Sequence, residues 1–198
     1  MEPEWSGRSV TRKEMEEARG RILGWFDEFP FVNQSSRADC VAAALTPWFA
    51  RANPMAAIPG VMIHAVEQNS GKTQLARLIS MTTTGYAPLA IPSSELPTDE
   101  NEIKKTVVSL LIEADKPVYL WDNIKHSVSS AFLEGMHTSR EVTARILGQS
   151  KTVRVQNNTL WLYTMNEATA SEDMLRRLVV IKLDTSVGST RPWSGNVL

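Results

Sequence analysis

The chain has 198 residues, enough for one α/β domain with a buried core. Its apolar share of 42% and charged share of 22% exclude a disordered polymer. Its net charge of −1 excludes a whole-molecule electrostatic grip on nucleic acid, so any DNA contact needs a local basic patch. The single cysteine, Cys40, excludes an internal disulfide, and His64, His126 and His137 are too scattered to suggest a metal cluster. No apolar run approaches a membrane span, and Met1-Glu2-Pro3-Glu4 lacks the basic and apolar segments of a signal peptide. The expected setting is therefore the cytoplasm, with no membrane partner.

In chain order, residues 11 to 28 read as a charged amphipathic helix, with Thr11 as N-cap and Pro30 beyond its end. Ser35 to Asp39 open a second helix, from Cys40 to about Trp48, which Asn53-Pro54 closes. The aromatics Trp25, Phe26, Phe29, Phe31, Trp48 and Phe49 are expected in the core. Pro59-Gly60 precedes a strand at 61 to 65, and a helix follows from Gln74. A short apolar piece, Pro88 to Ile91, comes before a helix that starts at Thr98-Asp99-Glu100 and carries Ile103, Val107, Leu110 and Leu111 at helical spacing. Val118 to Asn123 read as a strand, 129 to 137 as a short helix, and Arg145 to Gly148 as the end of a segment. Lys151 to Val155 alternate as a half-buried strand, Asn157-Asn158 form a turn, and Leu160 to Thr164 form the next strand. The pair is expected to be a hairpin or an extra strand with Lys151 and Arg154 as exposed cations. Ser171 to Arg177 form a capped short helix, Leu178 to Asp184 a last strand, and the rest has no periodicity. The expected division is a helical extension over 1–58, a core over 59–184 and a loose tail over 185–198.

The stretch Val66-Glu67-Gln68-Asn69-Ser70-Gly71-Lys72-Thr73-Gln74 joins a strand to a helix. Gly-Lys-Thr at such a joint is the phosphate-binding arrangement of P-loop NTPases. Backbone N–H groups at the helix start, and the helix dipole, favour phosphate charge. Asn69 to Gln74 are the expected nucleotide contacts. Lys72 would reach the β- and γ-phosphates, and the Thr73 hydroxyl would hold Mg²⁺. The full pattern wants glycine where this chain has Val66. Asp122 ends an apolar strand, where a carboxylate at the sheet's C-terminal edge can orient Mg²⁺. Asn166 ends the strand from Leu160, where it could position water or touch the γ-phosphate.

Taken in order, Gly71-Lys72-Thr73, the strand to Asp122, the strand to Asn166, and a helix to Arg176-Arg177 before a last strand resemble an AAA+ ATPase core. The passages PVYLWDNI, ARILGQS and LWLYTMNEATASEDMLRRLVVIKLD resemble phage and prophage replicative ATPases related to superfamily 3 helicases and primase–helicases. The resemblance implies a three-layer α/β fold of the AAA+ P-loop type, with a parallel sheet of about five strands. It implies ATP and Mg²⁺ as cofactors, Walker roles for Lys72, Thr73 and Asp122, and sensor 1 for Asn166. Arg176 or Arg177 would be an arginine finger acting across a subunit boundary, as its fixed charge and planar fork suit. A ring-forming homo-oligomer, commonly a hexamer, acting on single-stranded or forked DNA in a bacterial host or phage-infected cell is implied. Arg145 would face a subunit boundary or phosphate, and Lys151 and Arg154 would contact DNA phosphates.

One departure bears on chemistry. Many AAA+ enzymes carry a glutamate after the Walker B aspartate, and this chain has Asn123, whose amide takes no proton. Glu67 is the substitute candidate for the base. The leading expectation is a DNA-acting ATPase motor. The alternatives are a non-hydrolysing assembly or loader module, and an ATPase of a defence or packaging system.

Overall fold

The structure, a computed structural model, describes residues 9–67, 70–92, 97–113, 116–145, 152–166, 170–184 and 186. Two helices come first, α1 (Arg12–Trp25) and α2 (Gln34–Ala52). Thr11 caps α1 in a capping box with Glu14. Asn33 caps α2 through the Ser36 N–H, so α2 begins well before Cys40 and runs past Trp48. Pro47 lies inside α2. The following elements are β1 (Gly60–His64), α3 (Lys72–Thr84), β2 (Leu89–Pro92), α4 (Glu100–Glu113), β3 (Val118–Ile124), α5 (Ala131–Met136), β4 (Glu141–Arg145), β5 (Thr152–Gln156), β6 (Leu160–Met165), α6 (Glu172–Leu175) and β7 (Leu178–Lys182).

Five strands make one parallel sheet in the order β2-β3-β6-β1-β7. Its central strands read as continuous apolar runs because both faces are covered. Their side chains alternate between two cores. Val61, Ile63, Leu120, Leu160 and Leu162 face α2 and α3, together with Phe26, Cys40, Leu75 and Ile79. Met62, Tyr119, Trp121, Trp161 and Tyr163 face the other side, with Val107 and Leu111 of α4 and Leu133 of α5. There the Trp161 ring stacks on Tyr119 at 5.0 Å and Trp121 at 6.4 Å. The polar Asn157 is buried among these groups but satisfied. It donates to Met136 O and Ser139 O and accepts from Trp161 Nε1.

Two expectations need correcting. The strand at 152–156 pairs antiparallel with β4, not with the strand that begins at Leu160, and this hairpin stands apart from the main sheet. Of the N-terminal aromatics, Phe26 and Phe29 are buried, whereas Trp25, Trp48 and Phe49 are half exposed or more. Helix α2 is continuous with the sheet's packing: it lies on α3, and Phe31 just before it bridges to Leu183 beyond β7. Cys40 is buried, which pushes its thiol pKa upward. Among the described residues, no helix is long and apolar enough to cross a membrane.

Candidate functional site

The strands β1 and β3 flank β6, so three parallel strands end side by side at His64, Ile124 and Met165. Helix α3 starts beside them. Its N-cap, Gly71, sits at φ 82, a left-handed conformation that glycine adopts without steric cost. Among the described residues no side chain caps this helix start, so its first N–H groups have no side-chain acceptor there. Lys72 is only 7% exposed, and its ammonium donates to Glu67 O at 2.9 Å and Ser70 Oγ at 2.6 Å. Burial lowers its pKa, while the Asp122 carboxylate works in the opposite direction.

Thr73 Oγ1 donates to Asp122 Oδ1 at 2.9 Å, joining residues 49 positions apart. The same oxygen accepts from Thr164 Oγ1 at 2.6 Å. Thr164 is buried, and its hydroxyl also accepts from Asn123 N at 2.7 Å. These contacts fix both the carboxylate and the end of β3. The pairing of β3 with β6 shifts here: Trp121 opposes Tyr163, yet Ile124 opposes Met165. One extra residue on β3 makes a bulge, and Asn123 takes φ 58, which asparagine tolerates better than most residues. Asn123 Oδ1 accepts from Asn166 Nδ2 at 3.0 Å, and Asn166 Oδ1 is buried with no partner. Behind them, half-buried His64 has a lowered pKa, first from desolvation and then from Lys182 and Lys72.

A cavity of about 500 Å³ opens over these groups. Ser70, Gly71, Lys72, Thr73, Gln74, Asp122 and Asn166 all line it, so the expected nucleotide and Mg²⁺ contacts and the expected sensor come together, except for Asn69, which lies outside the described residues. Thr164, Asn123 and Lys125 also line it and were not expected as site residues. Thr164 had a signal, as the one threonine in an otherwise apolar and aromatic strand. Lys125 had none, because its placement depends on the bulge.

The arginines are elsewhere. Arg177 Nη1 donates to Glu134 O at 2.9 Å and Thr138 Oγ1 at 3.2 Å, which ties it to its own chain at the end of α5. Arg176 is exposed and pairs with Glu172 and Asp173 on its own helix. Neither lines the cavity. Arg154 is exposed on β5, opposite Thr143. Lys151 and the side chain of Arg145 lie outside the described residues. Glu67 holds Lys72 through its backbone carbonyl, and its side chain is not part of the cavity wall.

The donor set fits a phosphate chain with a hard cation. A buried lysine and free helix N–H groups suit phosphate oxygens. The Thr73 hydroxyl and the Asp122 carboxylate suit Mg²⁺, which needs few protein ligands when phosphates and water supply the rest. Among the described residues, no group of three or more His, Cys, Asp or Glu could hold a metal. Asn166 Oδ1 is an acceptor left unused among the described residues, though it is buried and closed to solvent in this conformation.

No protein-family model matches the chain, and no curated protein matches it. Among solved structures it is similar to the apo C-terminal region of NrS-1, at 16% identity and a TM-score of 0.51, with 87% of this chain and 40% of that chain covered. A further apo structure of that region aligns at 16% identity and a TM-score of 0.46, over 90% and 40% of the two chains. The chain thus spans about 40% of the NrS-1 chains it matches. At this identity the likeness is one of fold, over the mixed α/β domain whose five-stranded parallel sheet is described above.

Proposed function

We propose that the chain is an ATP-binding and ATP-hydrolysing subunit of an oligomeric, helicase-like motor acting on DNA in phage or mobile-element replication. One observation carries the reading. Thr73 meets Asp122 at 2.9 Å beside buried Lys72, at the edge where β1, β6 and β3 end. A P-loop and Walker B pair of the AAA+ type would take this arrangement, with the sensor strand between its two strands.

In this reading Lys72 exchanges Glu67 O and Ser70 Oγ for phosphate oxygens. Thr73 and Asp122 hold Mg²⁺, Asp122 in the orientation that Thr164 enforces. When bound, the metal neutralises charge that develops on the phosphates as the β–γ phosphoanhydride is cleaved. Asn166, at the end of β6, orients the attacking water once a change of side-chain rotamer brings its amide out toward the cavity. Arg176 is the better candidate for an arginine finger, because its partners among the described residues are solvent-exposed carboxylates of its own helix, whereas Arg177 is held against the end of α5. A ring of subunits would bring such an arginine to a neighbour's site, and Arg154 would face DNA phosphates.

The test is ATP turnover with and without single-stranded DNA, with Lys72→Ala and Arg176→Ala alongside. Turnover stimulated by DNA and lost in both variants is expected, with activity returning when the two dead variants are mixed. A Lys72→Ala protein as active as its parent would overturn the site.

A second reading has its own observation. Asp122 is the only carboxylate on the cavity wall among the described residues, and it already accepts two hydrogen bonds. With Asn123 beside it, no free base is at hand. A nucleotide-dependent assembly module would bind ATP and oligomerise with negligible turnover, and DNA-stimulated hydrolysis would exclude it.

A further inference from the structure

The bulge in β3 has a consequence for Lys125. Along an unbroken strand, side chains alternate between faces. Here the extra residue at Asp122-Asn123 lets Asp122 and Asn123 both face the cavity while Ile124 returns to the core, fully buried. Lys125, the next residue, then lies on the cavity wall as well. Lys125 is exposed, and among the described residues it has no ion-pair partner. The cavity therefore holds two lysines, Lys72 and Lys125, against one carboxylate.

The two cations come from different elements. Lys72 follows β1 and Lys125 follows β3, and β6 separates those strands. Helix α3 crosses to β3, where Thr73 meets Asp122 at 2.9 Å, and Lys125 lies three residues beyond Asp122. A phosphate chain cradled at Gly71 and Lys72 that runs past the Thr73–Asp122 pair presents its terminal phosphate toward Lys125. We infer that Lys125 contacts the terminal phosphate of a bound nucleoside triphosphate and is the side chain by which the site separates triphosphate from diphosphate. The inference rests on the nucleotide reading of the cavity and adds a residue that the Gly-Lys-Thr and Asp122 signatures do not specify.

The test measures dissociation constants for ATP and ADP with Mg²⁺ on the full chain, by calorimetry, for the parent, Lys125→Met, Lys125→Arg and Lys72→Ala. Thermal unfolding of each variant checks that the fold is kept. A lost charge-assisted contact predicts ATP binding weakened about tenfold or more in Lys125→Met, with ADP binding nearly unchanged. Lys125→Arg should keep most of the ATP preference. Equal weakening of both nucleotides, or no change in either, would overturn the inference while leaving the site intact, provided Lys72→Ala still abolishes binding. A parent that binds neither nucleotide would overturn both.

Discussion

Thr164→Val keeps the size and branching of a fully buried side chain and removes only its hydroxyl. That hydroxyl makes two contacts: it donates to Asp122 Oδ1 at 2.6 Å and accepts from Asn123 N at 2.7 Å. A hydrogen bond to a charged group contributes about 1.5–3 kcal/mol net, and stranding a backbone N–H costs about 1–3 kcal/mol. Asp122 is half-buried, so water can replace part of the first contact, which favours the lower end of each range. The expected destabilisation is about 3 kcal/mol. For a chain of this length, that lowers Tm by about 6–12 °C. Urea unfolding at neutral pH measures it, with Thr164→Ser as the control that keeps the hydroxyl. The functional arm is Mg²⁺-dependent nucleotide binding, which should weaken in Thr164→Val more than in Thr164→Ser, because Asp122 loses its orientation. A Thr164→Val protein within about 0.5 kcal/mol of the parent, binding as the parent does, would refute the claim that this threonine organises the site.

Three other outcomes are expected. In Gly60→Ala, a methyl group would stand 2.5 Å from Leu178 Cδ2 and 2.7 Å from the His137 ring, so urea unfolding should show a loss of about 1–3 kcal/mol. His137 is buried against the Tyr163 hydroxyl at 2.8 Å, and desolvation lowers its pKa from 6.5 to about 3. Between those values the unfolded chain binds the proton and the folded chain does not. Its contribution to stability is therefore complete above pH 6.5 and is lost as the pH falls toward 3; His137→Gln should flatten that part of the stability profile. Arg177→Ala should cost about 1 kcal/mol by freeing the end of α5, whereas Arg176→Ala should stay within about 0.5 kcal/mol, and thermal shifts distinguish the two.

The sheet was legible because its strands are buried on both faces. Runs such as Val118 to Trp121 and Leu160 to Tyr163 are apolar without interruption and end in polar residues. The helix start at Gly71-Lys72-Thr73 was legible for a different reason, since few residue types suit that turn. The β4–β5 hairpin was not. Only Val142 among Glu141 to Thr143 is buried, and the choice of partner strand is made by tertiary pairing, not by local pattern. Composition suggested that Trp25, Trp48 and Phe49 were core, but the sheet face is already filled by Phe26, just past the end of α1, and by Cys40, Ala43 and Ala44 of α2. Within the site, Lys72, Thr73, Asp122 and Asn166 announce themselves at element ends. Thr164 and Lys125 matter through a hydrogen bond and a bulge that exist only once β3 lies beside β6.

The segment that leads into α2 also decides how the sheet ends. Val32 N donates to Lys182 O at 3.0 Å, Asp184 N donates to Pro30 O at 2.6 Å, and Lys182 N donates to Ser36 Oγ at 3.2 Å. These contacts occupy backbone groups at the end of β7 that would otherwise invite a foreign strand. At the opposite margin, β2 is four residues long and finishes in Pro92, which has no N–H to offer. Both margins of the five-stranded sheet are thus poor templates for strand addition, which leaves the separate β4–β5 hairpin as the place among the described strands where a further strand could pair.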